Sequence, residues 1–174
     1  MKKLKFDYSL DYKNLNLRKQ PELYRIGIGE QGVLLVEPYK SEILPHWRFK
    51  TAPIAEESAS AIYKMFLDYR QASDFVGMDM ARKFLQMGYT RARRYANHAS
   101  GKKYEANPQK ESTKEKEASA RKRIRPQEKD WGTSEKAEAA RIFYGYYIQA
   151  REDETYKRLK AEHETQIDRR EDDK

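Results

Sequence analysis

Hydrophobic positions along this chain change period as the sequence proceeds. In ELYRIGIGEQGVLLVEP, residues 22–38, Leu23, Arg25 and Gly27 alternate with Tyr24, Ile26 and Ile28 before a glycine-rich stretch leads into VLLVE. Period two interrupted by glycine predicts a hairpin. Further on, HWRFK sets Trp47 and Phe49 on one side and His46, Arg48 and Lys50 on the other, as a half-buried strand does. The expectation is a small three-stranded antiparallel sheet, with Pro38 and Pro45 bracketing an irregular crossing.

From Thr51 the period lengthens. Ile54, Ala55, Ala59, Ile62, Tyr63 and Phe66 recur at helical spacing behind a Thr51 cap, and Glu56 and Glu57 suit the first turn electrostatically. Asp74 caps a second predicted helix, in which Met78, Ala81, Leu85, Gly88, Ala92 and Tyr95 step by three and four along one face. A glycine inside a helix costs about 1 kcal/mol relative to alanine, so Gly88 either permits close packing or splits the segment there. Thr133 or Ser134 starts another helix, and a further amphipathic stretch runs from about Glu154 to Ile167. Four or five helices packed on one face of the sheet make the predicted class α+β. The predicted organisation is a basic N-terminal arm over 1–20, an α+β core over 21–104, a disordered charged insertion over 105–130, and C-terminal helices over 131–174 that pack back on the core.

Composition sharpens that picture. Leu, Ile, Val and Phe number 29 of 174 residues, and 18 of them fall within residues 22–95, so the burial needed for folding is concentrated there. Residues 105–130 hold one large aliphatic side chain, two prolines and charges of both signs. Such a stretch gains too little from burial to offset its ordering entropy and reads as a solvated tether, with transient helix around 110–123. The basic cluster Arg121, Lys122, Arg123 and Arg125 then reads as part of that tether, the alternative being a nucleic-acid contact to which the linker adds non-specific attraction. The chain has no cysteine, which excludes disulfides, thiolate nucleophiles and Cys-ligated zinc. Its longest strongly apolar run, residues 33–36, is too short to span a bilayer, and its start lacks a signal-peptide pattern. The expected setting is the cytoplasm, with no membrane partner.

Net charge is +8, which favours anionic partners. The excess is localised, with +4 over residues 1–20 and +6 over residues 76–104. On a continuous helix Lys83, Arg91, Arg94 and His98 fall opposite the apolar stripe, while Arg82, Tyr89 and Arg93 line one flank, and Lys102 and Lys103 follow. Cations spaced in this way contact successive phosphates, and Tyr89 or Tyr104 can stack on an unpaired base. The bland alternative is a solvated helix whose arginines pair with acids between Glu135 and Asp173.

Other constellations carry less. Gly27, Gly29 and Gly32 satisfy G-x-G-x-x-G, but a dinucleotide fingerprint needs a helix directly after it, and here another strand is expected. His46, His98 and His163 are far apart in sequence, without metal-ligand spacing. The adjacent pairs Glu56 with Glu57 and Glu152 with Asp153 are explained by helix starts and turns. Tyr39, Lys40, His46 and Arg48 can line a cleft for a phosphorylated small molecule, or else Tyr39 packs while the charges pair with Glu37 and Glu42. No catalytic residue, metal or cofactor is assigned.

At GEQGVLLVEPYKSEILPHWRFK, residues 29–50, and DFVGMDMARKFLQMGYTRARRYANH, residues 74–98, the chain resembles a family of short cytoplasmic proteins of bacteria and tailed phages known only as a domain of unknown function. The likeness spans residues 21–104 and resumes at EKAEAARIF and YKRLKAEHE, so it implies a single domain split by an insertion. It implies no activity, cofactor or catalytic residue.

The expected function is that of a non-catalytic nucleic-acid-binding accessory protein. RNA is preferred over duplex DNA because tyrosine among arginines suits unpaired bases better than groove readout. The rivals are a protein-interaction adaptor presenting Tyr144, Tyr146 and Tyr147, and a phosphate-handling enzyme centred on Lys40, His46 and Arg48.

Overall fold

A computed structural model describes residues 5–173. It is all helical, and the predicted three-stranded sheet is absent: the described residues hold six α-helices, four short 3-10 turns and a single antiparallel bridge between Tyr104 and Ile124. The α-helices are α1 (Tyr39–Ile43), α2 (Ala52–Gln71), α3 (Phe75–Asn97), α4 (Lys114–Lys122), α5 (Glu135–Glu152) and α6 (Glu154–Asp172).

The long helices start where capping chemistry places them. Thr51, Asp74, Ser134 and Asp153 each accept a hydrogen bond from a backbone N–H three residues on, at 3.3, 3.0, 3.2 and 2.9 Å respectively. Helix α3 lies at the centre, with 15 of its 23 residues buried, and packs against both α2 and α5, which also pack on each other. Gly88 does not split α3. A methyl group there would overlap the Phe143 ring of α5, so its missing side chain lets α3 and α5 approach closely.

The segments predicted as strands fail to pair for two different reasons. Around residues 28–36 the backbone closes consecutive turns, with Gln31 N–H donating to Ile28 O, Val33 N–H to Glu30 O and Leu35 N–H to Gly32 O. Gly32 has φ of +81° with the Phe6 ring where a side chain would stand, a conformation open to glycine and closed to extended pairing. Val33 and Val36 are consequently buried while Leu34 and Leu35 are exposed, a spacing of three instead of two. HWRFK does alternate as expected, Trp47 and Phe49 being more buried than His46, Arg48 and Lys50. Its partner is a helix. The Ser58 hydroxyl of α2 accepts from Arg48 N–H at 2.9 Å and donates to His46 O at 2.6 Å, supplying both bonds that a neighbouring strand would have made.

The N-terminal arm is also packed. Phe6, Tyr12 and Leu17 are buried, Phe6 stacks on Tyr12 at 5.3 Å, and Leu17 N–H donates to Glu37 O at 2.9 Å. Residues 1–4 of that arm lie outside the described residues. Within the segment read as a disordered tether, α4 is capped by Thr113, and Glu105 N–H donates to Arg123 O at 3.0 Å while Arg125 N–H donates to Lys103 O at 2.8 Å. Residues 103–125 thus form a closed flap whose two ends are adjacent. Local helix capping and two main-chain bonds order a segment that buries only Pro108 and Ala120.

Candidate nucleic-acid interface

The basic residues of α3 divide into two groups. In the first half, Asp79, Arg82 and Lys83 stand one turn apart and are buried. Asp79 accepts from the Tyr24 hydroxyl, from the Tyr156 hydroxyl at 2.7 Å and from Arg82 Nε at 2.9 Å. Lys83 Nζ donates to Gln31 O at 2.6 Å and lies 3.7 Å from Asp79 Oδ2, with the Phe6 and Tyr24 rings 5.9 and 5.5 Å away. Burial by itself would raise the Asp79 carboxyl, but the charges of Arg82 and Lys83 and the two tyrosine hydroxyls outweigh it and hold it well below the usual carboxylate range. Burial lowers Lys83, with Asp79 opposing. The expectation that Arg82 and Lys83 face solvent as phosphate contacts is therefore corrected: both are tied into the core by a carboxylate that helical spacing brings beneath them.

In the second half of α3 the cations are at the surface. Arg91 and Arg94 are exposed and, with Lys102 and Lys103, line a groove of ≈ 600 Å³ whose opposite side is the flap, contributing Lys110, Arg121 and Arg125. Tyr104 lies in the groove, with Lys103 Nζ 5.4 Å from its ring centroid, and Glu105 is the one carboxylate among the lining residues. Arg121 is held by Glu117 at 2.7 Å. The other six cations make no ion pair with a described carboxylate, and neither does Arg93. Pairing of these arginines with the acids of α5 and α6 is not what the structure shows.

Three of the predicted contact residues are placed elsewhere. Arg93 lies over the Trp131 ring at 4.9 Å and donates to Trp131 O at 3.4 Å. Tyr89 packs on Tyr144 at 4.9 Å between centroids, so Tyr104 is the tyrosine in the groove. His98 is buried and donates through Nδ1 to Pro126 O at 3.3 Å. With Glu128 N–H on Asn97 O at 2.8 Å, that bond fastens the returning arm of the flap to the end of α3.

The possible anion cleft around Lys40, His46 and Arg48 is not assembled. Tyr39 turns into the core and donates to Asp74 Oδ1 at 2.7 Å, Lys40 pairs with Glu37 at 3.4 Å, and His46 and Arg48 are exposed. Of the three α5 tyrosines only Tyr144 is exposed; Tyr146 donates to Glu56 and Tyr147 is half-buried. Of the groove residues, Lys110, Arg121 and Arg125 belong to the segment whose composition predicts a tether with only non-specific attraction for nucleic acid. The signal for them was present in Thr113 ahead of KEKEASARK, a capped helix with acids first and bases last.

Residues 7–166 match a family described as a domain of unknown function (DUF4385). The chain belongs to this family. The DUF4385 match includes α3, the flap and most of α6, so the groove lies wholly within the family domain. No curated protein and no solved structure matches this chain. No described helix of this DUF4385 protein is long and apolar enough to cross a membrane.

Proposed function

We propose that this protein is a non-catalytic nucleic-acid-binding accessory protein that prefers RNA, working in the cytoplasm of bacteria or within the tailed-phage setting that its family resemblance implies. The observation that supports this reading is the convergence of Arg91, Arg94, Lys102, Lys103, Lys110 and Arg125, none paired with a described carboxylate, on one groove that also holds Tyr104. Cations held apart by a helix and a facing flap neutralise successive phosphates of a strand laid between them. Tyr104 gives an unpaired base a ring to stack on, which favours single strands.

The test is a salt titration of binding to a single-stranded RNA and to a DNA duplex of matching sequence, with the parent and an Arg91→Gln, Arg94→Gln, Lys102→Gln variant. Each lost phosphate contact should remove about 0.7 from the slope of log affinity against log salt for a single strand. Binding equal to the parent at every salt concentration would remove the groove as the site, and tighter binding to the duplex would reverse the stated preference.

A further inference from the structure

A second cavity, of ≈ 540 Å³, lies on another face of the molecule, between the glycine-rich loop and α6, and includes residues from the end of α5. Arg82 and Gln86 of α3 reach it from below, Lys160 and His163 from α6, and Gly27 and Gly29 from the loop. None of these residues lines the basic groove.

The hydrogen bonds on Arg82 leave part of it unused. Its Nε donates to Asp79 Oδ1 at 2.9 Å, its Nη2 lies 2.9 Å from the same oxygen, and its Nη1 donates to Gln86 Oε1 at 3.0 Å. A guanidinium carries five N–H donors in a fixed fork, so one remains on each terminal nitrogen. Gln86 spends its carbonyl on Arg82, which leaves the amide NH2 as a donor. Lys160 is half-buried and makes no ion pair with a described carboxylate. Arg25, Arg151 and Lys157, which also line the cavity, are each paired with an acid: Glu171, Glu152, and Glu152 with Glu154.

Charge points the same way. Beneath the cavity a single buried carboxylate, Asp79, faces both Arg82 and Lys83, so with both bases protonated the buried cluster is one negative charge short. Glu164 and Asp168 also line the cavity, but Arg82 pairs with neither, its ion-pair partner being Asp79. The walls suit a body attached to the anion, since Ile26, Ile28, Ile167 and the rings of Tyr147 and Tyr156 are among the lining groups. Cavities of several hundred Å³ with apolar walls and a few convergent donors are the usual form of a small-molecule site.

We propose that this cavity binds a small organic anion, a phosphate or carboxylate head on an apolar or aromatic body, with the head received by the free donors of Arg82, Gln86 and Lys160. Asp79 positions the guanidinium, and Tyr24 and Tyr156 position Asp79, so the receiving fork is set before the ligand arrives. The His163 ring donates through Nε2 to Tyr24 O at 2.7 Å. That bond fixes the His163 ring as one wall and ties α6 to Tyr24, just ahead of the loop.

The experiment is an amide NMR titration of the full chain with phenyl phosphate, benzoate and inorganic phosphate as probes. Saturable shifts at Gly27, Gly29, Gln86 and His163 with phenyl phosphate or benzoate are expected, and the stronger of the two identifies the head group. Binding of inorganic phosphate as tight as that of phenyl phosphate would overturn the part assigned to the apolar walls. Lys160→Gln should weaken binding about tenfold, the worth of one charge-assisted hydrogen bond, at unchanged melting temperature. Gln86→Glu should abolish binding, because the new carboxylate competes for Arg82 and repels the probe. No saturable shift at these amides up to about 10 mM of any probe, or equal affinity in the parent and in Lys160→Gln, would overturn the proposal. The groove variant Arg91→Gln, Arg94→Gln, Lys102→Gln separates the two readings: it should bind phenyl phosphate as the parent does, and a loss there would move the anion to the groove and refute this site.

Discussion

The two halves of α3 carry nearly the same basic side chains and put them to different ends. Arg82 and Lys83 sit one turn from Asp79 among Met78, Met80, Phe84 and Leu85, where a charge without a partner is costly. Arg91 and Arg94 stand about two to three turns further along, exposed and without an ion pair to any described carboxylate. A cation in the first half is held in one position by a buried carboxylate, whereas one in the second half is a surface charge with no ion-pair partner. Charge spacing on a helix does not distinguish the two. What does is an acid at the right offset together with large apolar residues on every side.

The comparison breaks most visibly at Asp79. Asp79→Ala leaves two buried cations without their carboxylate and should cost about 3–5 kcal/mol of unfolding free energy in urea titrations. A loss under about 1 kcal/mol would mean that the first half is no more tightly coupled than the second. Acid does the same reversibly. The folded-state carboxyl of Asp79 is lowered relative to the unfolded chain, so its contribution is present above the unfolded value of about 3.9 and is lost as pH falls from there toward the folded value. Urea midpoints of the parent should therefore fall below about pH 4, and those of Asp79→Asn should fall less steeply.

Gly88→Ala tests the seam between the halves. The added methyl meets the Phe143 ring, and overpacking of this kind should cost about 1–3 kcal/mol in the same assay. A neutral or stabilising result would show that α5 has room to move away. Smaller still is the expected effect of replacing residues 106–122 by a two-residue turn. The flap closes on itself through the Tyr104 and Ile124 bridge, so the melting temperature should shift by less than about 4 °C, a change worth under 1 kcal/mol, while RNA affinity drops with the loss of Lys110 and Arg121. The smallest effect on stability belongs to Arg91→Gln with Arg94→Gln. Glutamine keeps the helix propensity and no ion pair is broken, so each change should stay within about 0.5 kcal/mol. Any larger loss would reveal that the second half is structural as well.

Much of the helical framework was legible in the sequence. Thr51, Asp74 and Ser134 cap as their spacing predicts, because a cap is a bond between residues three apart and needs no distant partner. The predicted sheet fails for the complementary reason. Alternation in HWRFK is genuine, but whether an extended segment pairs with a strand or with a serine on a helix depends on what packs beside it, and Ser58 is ten residues beyond Arg48. At residues 28–36 the glycines outweigh the apolar run Val33 to Val36, since Gly29 and Gly32 both take positive φ and fold the backbone into turns. In the candidate site, Arg91, Arg94, Lys102 and Lys103 were readable as a basic run. Lys110, Arg121 and Arg125 were hidden by a composition that suggests solvation and says nothing of where a capped helix will dock.

By itself the sequence determined the local features: the helix starts, the concentration of apolar residues in the first half of the chain, the absence of cysteine chemistry and the basic character of residues 76–104. These follow from neighbours within a turn or two, or from composition, and are fixed before the chain folds. Only the tertiary structure decided which cations are buried and which are free, that HWRFK lies on a helix while residues 28–36 close into turns, and that the charged residues 103–125 form a flap beside the end of α3. Each of those depends on groups distant in sequence, Tyr24 and Tyr156 on Asp79, Ser58 on Arg48, Pro126 on His98, and a burial environment exists only once those groups have met.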